Sequence, residues 1–166
     1  TIGVAVEGDK LAAYACDGIT DEAWFFGTQK DGSLDIASKY QDTLKASFNG
    51  AAVVGDLTMN DATYTFTAAP VAAPAGMYTA AAGGVRASWV VRPDNSITGV
   101  QFRQSNDSDV ADLVLANEQR FRDQVRQRRL ARQLQQAPPL QFGTWRSAIN
   151  GVPVVAIIVN GDTRLN

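Results

Sequence analysis

AYACDGITDEAWFFG, residues 13–27, holds the only cysteine of the chain, an Asp-Gly pair, two further acids and a Trp-Phe-Phe cluster. A reactive thiol needs a lowered pKa from a nearby cation, a helix N-terminus or a paired base. Cys16 instead ends an apolar run beside Asp17 and near Asp21 and Glu22, and anions raise a thiol pKa. It reads as a small buried hydrophobe. Asp17-Gly18 opens a turn, and the next strand begins with Trp24 and Phe26 on one face, burying over ~300 Å² by the usual area of two aromatics. The stretch is a strand–turn–strand corner.

The same grammar runs outward through the first hundred residues. Turn pairs recur at Gly8-Asp9, Asp17-Gly18, Asp31-Gly32, Asn49-Gly50, Asn60-Asp61, Gly83-Gly84 and Asp94-Asn95. Pairs of this kind supply the positive φ angles of tight hairpins, so the connections are expected to be antiparallel. Between them, residues 1–7, 11–16, 23–28, 34–37, 43–48, 53–59, 63–67, 77–81, 85–92 and 97–103 read as strands. Val85, Ala87, Trp89 and Val91 alternate with Arg86, Ser88 and Arg92, and Leu44, Ala46 and Phe48 with Lys45 and Ser47. Period two over several segments means half-buried strands. Trp89 joins Cys16, Trp24 and Phe26 in the expected core. The proline-containing stretch 68–76 reads as a longer connection, since Pro cannot sit in a central strand.

Residues 105–137 change character. Asp107, Ser108 and Asp109 offer N-caps, Asp112 adds favourable charge, and Pro138-Pro139 supplies a stop. Val110, Val114, Phe121 and Val125 recur at helical steps, with Phe121 the main docking residue. After Val125 the same face passes through Arg128 and Arg132, so a long helix is expected whose distal half does not dock as the proximal half does. The aliphatic run 152–159 reads as a final strand returning to the main sheet. The expected fold is mainly β: a 1–104 antiparallel meander closed as a small barrel or sandwich, one long arginine-rich helix over 105–137, and a C-terminal segment 138–166 with a strand returning to the same single domain.

Composition narrows the chemistry. Apolar residues make up 45% and charged residues 19% of the 166 positions, which fits a folded domain rather than a disordered chain. There is no histidine, so the commonest general base and zinc ligand are missing. No phosphate loop, dinucleotide fingerprint or nucleophile elbow is present. Asn106, Asp107, Asp109 and Asp112 lack the central glycine and distal glutamate of a calcium loop, and read as a helix cap. No catalytic, cofactor-binding or metal-ligating residues are assigned, and the expected protein is not an enzyme.

Charge is segregated. Residues 1–119 carry seven basic and fifteen acidic groups, or −8, while 120–132 hold six arginines against Asp123, or +5. Arg120, Arg122, Arg126, Arg128, Arg129 and Arg132 form the candidate interaction surface, facing a protein partner or an anionic membrane. The competing reading is a solvated helix whose arginines cover apolar surface or pair with the protein's own acids. Nucleic acid is disfavoured by the acidic body and the lack of an aromatic ladder.

Tyr14, Cys16-Asp17-Gly18, Trp24, Gly27, Asp31-Gly32 and Leu34, followed by Trp89, give the chain a resemblance. Over about residues 1–103 it resembles a group of predicted secreted or membrane-anchored proteins of actinobacteria, mycobacteria especially. The resemblance implies an extracytoplasmic, envelope-associated β-domain and supplies no catalytic residues. The chain opens at Thr1 rather than Met, which is read as loss of a signal, anchor or tag. The expected function is a non-catalytic extracytoplasmic binding or assembly module of the cell envelope. The alternatives are a small barrel carrying an apolar ligand and a carboxylate-dependent hydrolase.

Overall fold

Short alternating segments and tight turns produce ten strands in the first 103 residues. They are β1 (Ile2–Glu7), β2 (Lys10–Cys16), β3 (Glu22–Thr28), β4 (Ser33–Ala37), β5 (Thr43–Asn49), β6 (Ala52–Met59), β7 (Ala62–Ala68), β8 (Gly76–Ala82), β9 (Val85–Val91) and β10 (Ile97–Arg103). Each lies within one residue of a segment expected from the sequence. The structure, a computed structural model, describes residues 1–49, 51–103, 123–125, 127 and 132–165. Four short strands follow: β11 (Gln135–Gln136), β12 (Arg146–Ile149), β13 (Val152–Val155) and β14 (Ile157–Ile158). All the pairings are antiparallel. At Asp31-Gly32, Asn60-Asp61 and Gly83-Gly84 both central residues have positive φ, as a two-residue hairpin turn matched to strand twist requires.

Three sheets stack, with orders β1-β2-β3, β4-β5-β6-β7 and β11-β10-β9-β8-β14, and β12-β13 forms a separate hairpin. The run LAAYAC in β2 explains the stacking. Leu11, Ala13 and Ala15 point one way, into a core with Phe25, Leu34, Ile36, Leu44, Leu57 and Met59. Ala12, Tyr14 and Cys16 point the other way, against Met77, Val90 and Val100. The first sheet is therefore the middle layer, and its alanines let both neighbours approach closely. The far face of β8 and β9, with Tyr78, Val85, Ala87, Trp89 and Val91, is covered by Leu140, Ile149 and Ala156 from the C-terminal segment.

Two features of the expected fold are overturned. The sheets do not close into a barrel. Each remains open, because a barrel strand buries one face inside, whereas β2 buries both. Nor is there a long helix among the described residues, where helical geometry is confined to 123–125 and 127. The expected span to residue 137 fails for a definite reason. Gln133 has φ +52°, outside the helical region, and Gln135–Gln136 pairs with Val100 and Gln101 of β10. The backbone demand of an otherwise open strand edge outweighs the helix propensity of Arg, Gln and Leu.

The final run also departs from a single strand. Asn150-Gly151, with φ +50° and +81°, folds β13 onto β12. Ala156 donates its N–H to the Trp145 carbonyl at 2.7 Å, and only β14 then returns to pair with β8.

Candidate functional site

The strand–turn–strand corner at residues 13–27 divides its polar groups between the interior and the surface. Inside, Glu22 lies opposite Cys16 in the β2–β3 register and is 1% exposed. Tyr14 donates its hydroxyl to Glu22 Oε2 at 2.8 Å. Burial pushes the Glu22 carboxyl up to about 7, against the Tyr14 hydrogen bond and the charges of Arg132 and Arg86. Burial likewise raises the Tyr14 hydroxyl, with the Glu22 charge adding to it, and raises the Cys16 thiol. From the facing sheet, Arg86 donates from Nη1 to Thr79 Oγ1 at 3.1 Å, and Thr79 Oγ1 lies 3.2 Å from Ser88 Oγ. These groups form a polar layer between two sheets.

Arg132 belongs to this layer rather than to the surface. It is 5% exposed, donates from Nη1 to the Glu22 carbonyl oxygen at 3.4 Å, and sets its guanidinium 4.3 Å from the centroid of the Tyr40 ring. Its own carbonyl accepts the N–H of Arg103 at 3.3 Å. One residue thus touches β3, β10 and the turn between β4 and β5, which corrects its assignment to an exposed interaction surface. Arg120, Arg122, Arg126, Arg128, Arg129 and Phe121 lie outside the described residues.

The remaining core candidates have definite places. Cys16 and Trp89 are buried. Trp24 and Phe26 are half-buried, on the Tyr14 face, with Trp24 4.5 Å from the Tyr14 ring and 5.5 Å from the Phe26 ring. The fully buried ring of this strand is Phe25, which points toward the β4–β7 sheet. Glu22 went unrecognised in the sequence, although alternation alone puts it on the face of Trp24 and Phe26.

At the surface, the turn of the same corner lines a cleft of about 620 Å³. Asp17 Oδ1 accepts three backbone N–H groups, from Ile19, Thr20 and Asp21, at 2.8, 2.9 and 2.9 Å. Partial burial would raise the Asp17 carboxyl, but these amides outweigh it and hold the group below the usual carboxylate value. The cleft runs from Asp17-Gly18 across Ile97, Thr98 and Gly99 to Pro138, Pro139 and Leu140, with Trp89 at its floor. Trp89 donates Nε1–H to the Pro138 carbonyl at 2.9 Å.

The cleft exists because β11 is short. Gly99 accepts the Ala137 N–H at 3.1 Å and Arg103 donates to Arg132, so odd-numbered residues of β10 direct their backbone groups toward β11. Ile97 is next in that series. Beyond Ala137 the chain offers only prolines without N–H groups, and the Pro138 carbonyl is already occupied by Trp89. Among the described residues, no strand covers the outward N–H and C=O of Ile97.

A third feature lies on the C-terminal layer, where Val155 and Ile157 are 61% and 62% exposed, with Val152, Ile158 and Phe142 also exposed. Among the described residues no helix is long and apolar enough to cross a membrane, and no three His, Cys, Asp or Glu side chains gather as metal ligands. Comparison with protein-family models, curated proteins and solved structures found no match to this chain.

Proposed function

We propose that this protein is a non-catalytic binding or assembly module of the extracytoplasmic cell envelope, joined to a protein partner through its C-terminal layer. The observation that carries this reading is the exposed aliphatic run Val152, Val155, Ile157 and Ile158. Four exposed aliphatic side chains within seven residues, where solvated strands would carry polar ones, favour association. The titratable groups most displaced from their ordinary values, Glu22 and Tyr14, bond to one another within the first sheet, on its face toward β8–β10. That arrangement favours structural roles for them. The envelope setting rests on the resemblance carried by Tyr14, Cys16-Asp17-Gly18, Trp24 and Trp89.

The test is site-specific photocrosslinking in intact cells of the native host, with a photoreactive residue at Val155 or, as a control, at exposed Thr67 in β7. Val155 is expected to give one discrete adduct that Ile157→Asp abolishes, with the protein open to externally added protease. Adducts of equal yield from both positions, or protection from protease until the cells are lysed, would overturn the reading.

A further inference from the structure

The cleft at the β2–β3 turn is separate from the C-terminal apolar layer and has a chemistry of its own. Among the described residues lining it, Asp17 alone is charged. Its Oδ1 is fixed by three amides, and Oδ2 accepts no hydrogen bond among the described residues. The carboxylate is thus held in place with one oxygen free. A volume of about 620 Å³ falls within the ~300–1,000 Å³ of ordinary ligand sites. Its lining also includes Pro138 and Pro139, which offer apolar surface and no backbone donor. The floor carries the outward N–H and C=O of Ile97.

An open strand edge accepts another strand through paired backbone hydrogen bonds. A carboxylate at the rim of that edge selects for a cation on the incoming side chain, and the β-domain of residues 1–103 adds to the same sign, with eleven acidic against seven basic groups, or −4. The geometry points to a binding site for an extended peptide segment bearing a Lys or Arg side chain, which adds to β10 at Ile97 and sets its cation against Asp17. The apolar flanks of such a segment rest on Pro138 and Pro139. The site needs nothing from Val155 or Ile157, so its failure and that of the assembly reading are distinguishable.

The experiment is a ¹⁵N NMR titration of the whole chain with three blocked probes: Thr-Val-Lys-Val-Thr, Thr-Val-Glu-Val-Thr and the lysine peptide with every backbone nitrogen methylated. The lysine peptide is expected to shift the amides of Gly18, Ile97, Thr98 and Gly99 and to bind more tightly than either other probe. Asp17→Asn keeps an Oδ1 acceptor for the three amides and removes the charge. It is expected to weaken the lysine peptide about two- to fivefold, the range for an exposed charge pair, and to erase its advantage over the glutamate peptide. Three results would each overturn the proposal. They are an absence of shifts at these amides, equal binding of the N-methylated probe, which has no backbone N–H to give, and an undiminished lysine preference in Asp17→Asn.

Discussion

Arg132 donates to the backbone carbonyl of Glu22 from 110 positions further along the chain, and its positive charge favours the carboxylate form of the same residue. The contact is buried, and the guanidinium also packs on Tyr40. Arg132 is therefore a tie between layers, and its energetics are coupled to the protonation of Glu22.

The first prediction follows from that coupling. The folded-state value of about 7 for Glu22 lies above its ordinary 4.5. A group raised in this way contributes stability that is fully present below pH 4.5 and lost as pH rises through 7. The span corresponds to about 3 kcal/mol at ~1.4 kcal/mol per pH unit. Glu22→Gln stays neutral throughout and lacks this dependence. Urea unfolding at pH 4.5 and pH 8 is expected to show wild type losing about that much relative to Glu22→Gln. Parallel profiles would mean that Glu22 does not titrate in this window.

The second prediction concerns Arg132 itself. Arg132→Met keeps much of the apolar stem and removes the charge and its donors. A loss of about 1–3 kcal/mol is expected, the usual cost of hydrogen bonds involving a charged group. Because the Arg132 charge lowers the Glu22 value, the substitution is also expected to move that value above 7, as read by ¹³C NMR of the carboxyl. Lys45→Met, at an exposed strand position, serves as the comparison and stays within about 0.5 kcal/mol. If Arg132→Met is as neutral as Lys45→Met, the buried tie is not holding the layers.

What was legible in the sequence was local. Asp31-Gly32, Asn60-Asp61 and Gly83-Gly84 determine their own backbone angles, so strands and hairpins could be read from neighbours in the chain. The order of the layers could not. In AWFFG both faces are aromatic, and a strand buried on both sides loses the alternation that tells inside from outside. Phe25, given no role by the pattern, is therefore the fully buried ring, while Trp24 packs on the opposite face of the same strand. The RQLQQ stretch that precedes Ala137 has strong helix propensity, and what overrides it is the open edge of β10, which is remote in sequence. Asn150-Gly151 was a readable hairpin signal, hidden by the continuous aliphatic run that follows it. The cleft arises where Pro138 departs from β10, a meeting that no local pattern encodes.

Cys16 gives the third prediction. Its side chain is buried against the facing sheet, and burial raises its thiol pKa, so both access and thiolate fraction are reduced. A disulfide reagent at neutral pH is expected to label it slowly in the native protein and rapidly in urea. Fast native labelling would show that the layer between β2 and β8–β10 opens readily.

The last prediction joins Trp89 to Gly99 and Pro138. Trp89 lies opposite Gly99 in the β9–β10 register, and a Cβ at residue 99 would stand 2.7 Å from Trp89 Cδ1. The indole thus covers the space a side chain would take and reaches Pro138 across it. Trp89→Ala is expected to cost about 3–5 kcal/mol, as for other large aromatic deletions. Trp89→Phe keeps most of the buried area and orphans the Pro138 carbonyl, for about 1–3 kcal/mol. Gly99→Ala overpacks the contact at a similar cost. Part of that strain comes from the indole and part from the Ser88 carbonyl behind it, so Gly99→Ala is expected to cost less in a Trp89→Ala background. A double-mutant cycle by urea unfolding measures the difference. Strict additivity would mean that the Ser88 backbone carries the whole clash and the ring none of it. If Trp89→Phe unfolds at the wild-type midpoint, the Pro138 carbonyl finds another donor, and the cleft wall does not depend on this bond.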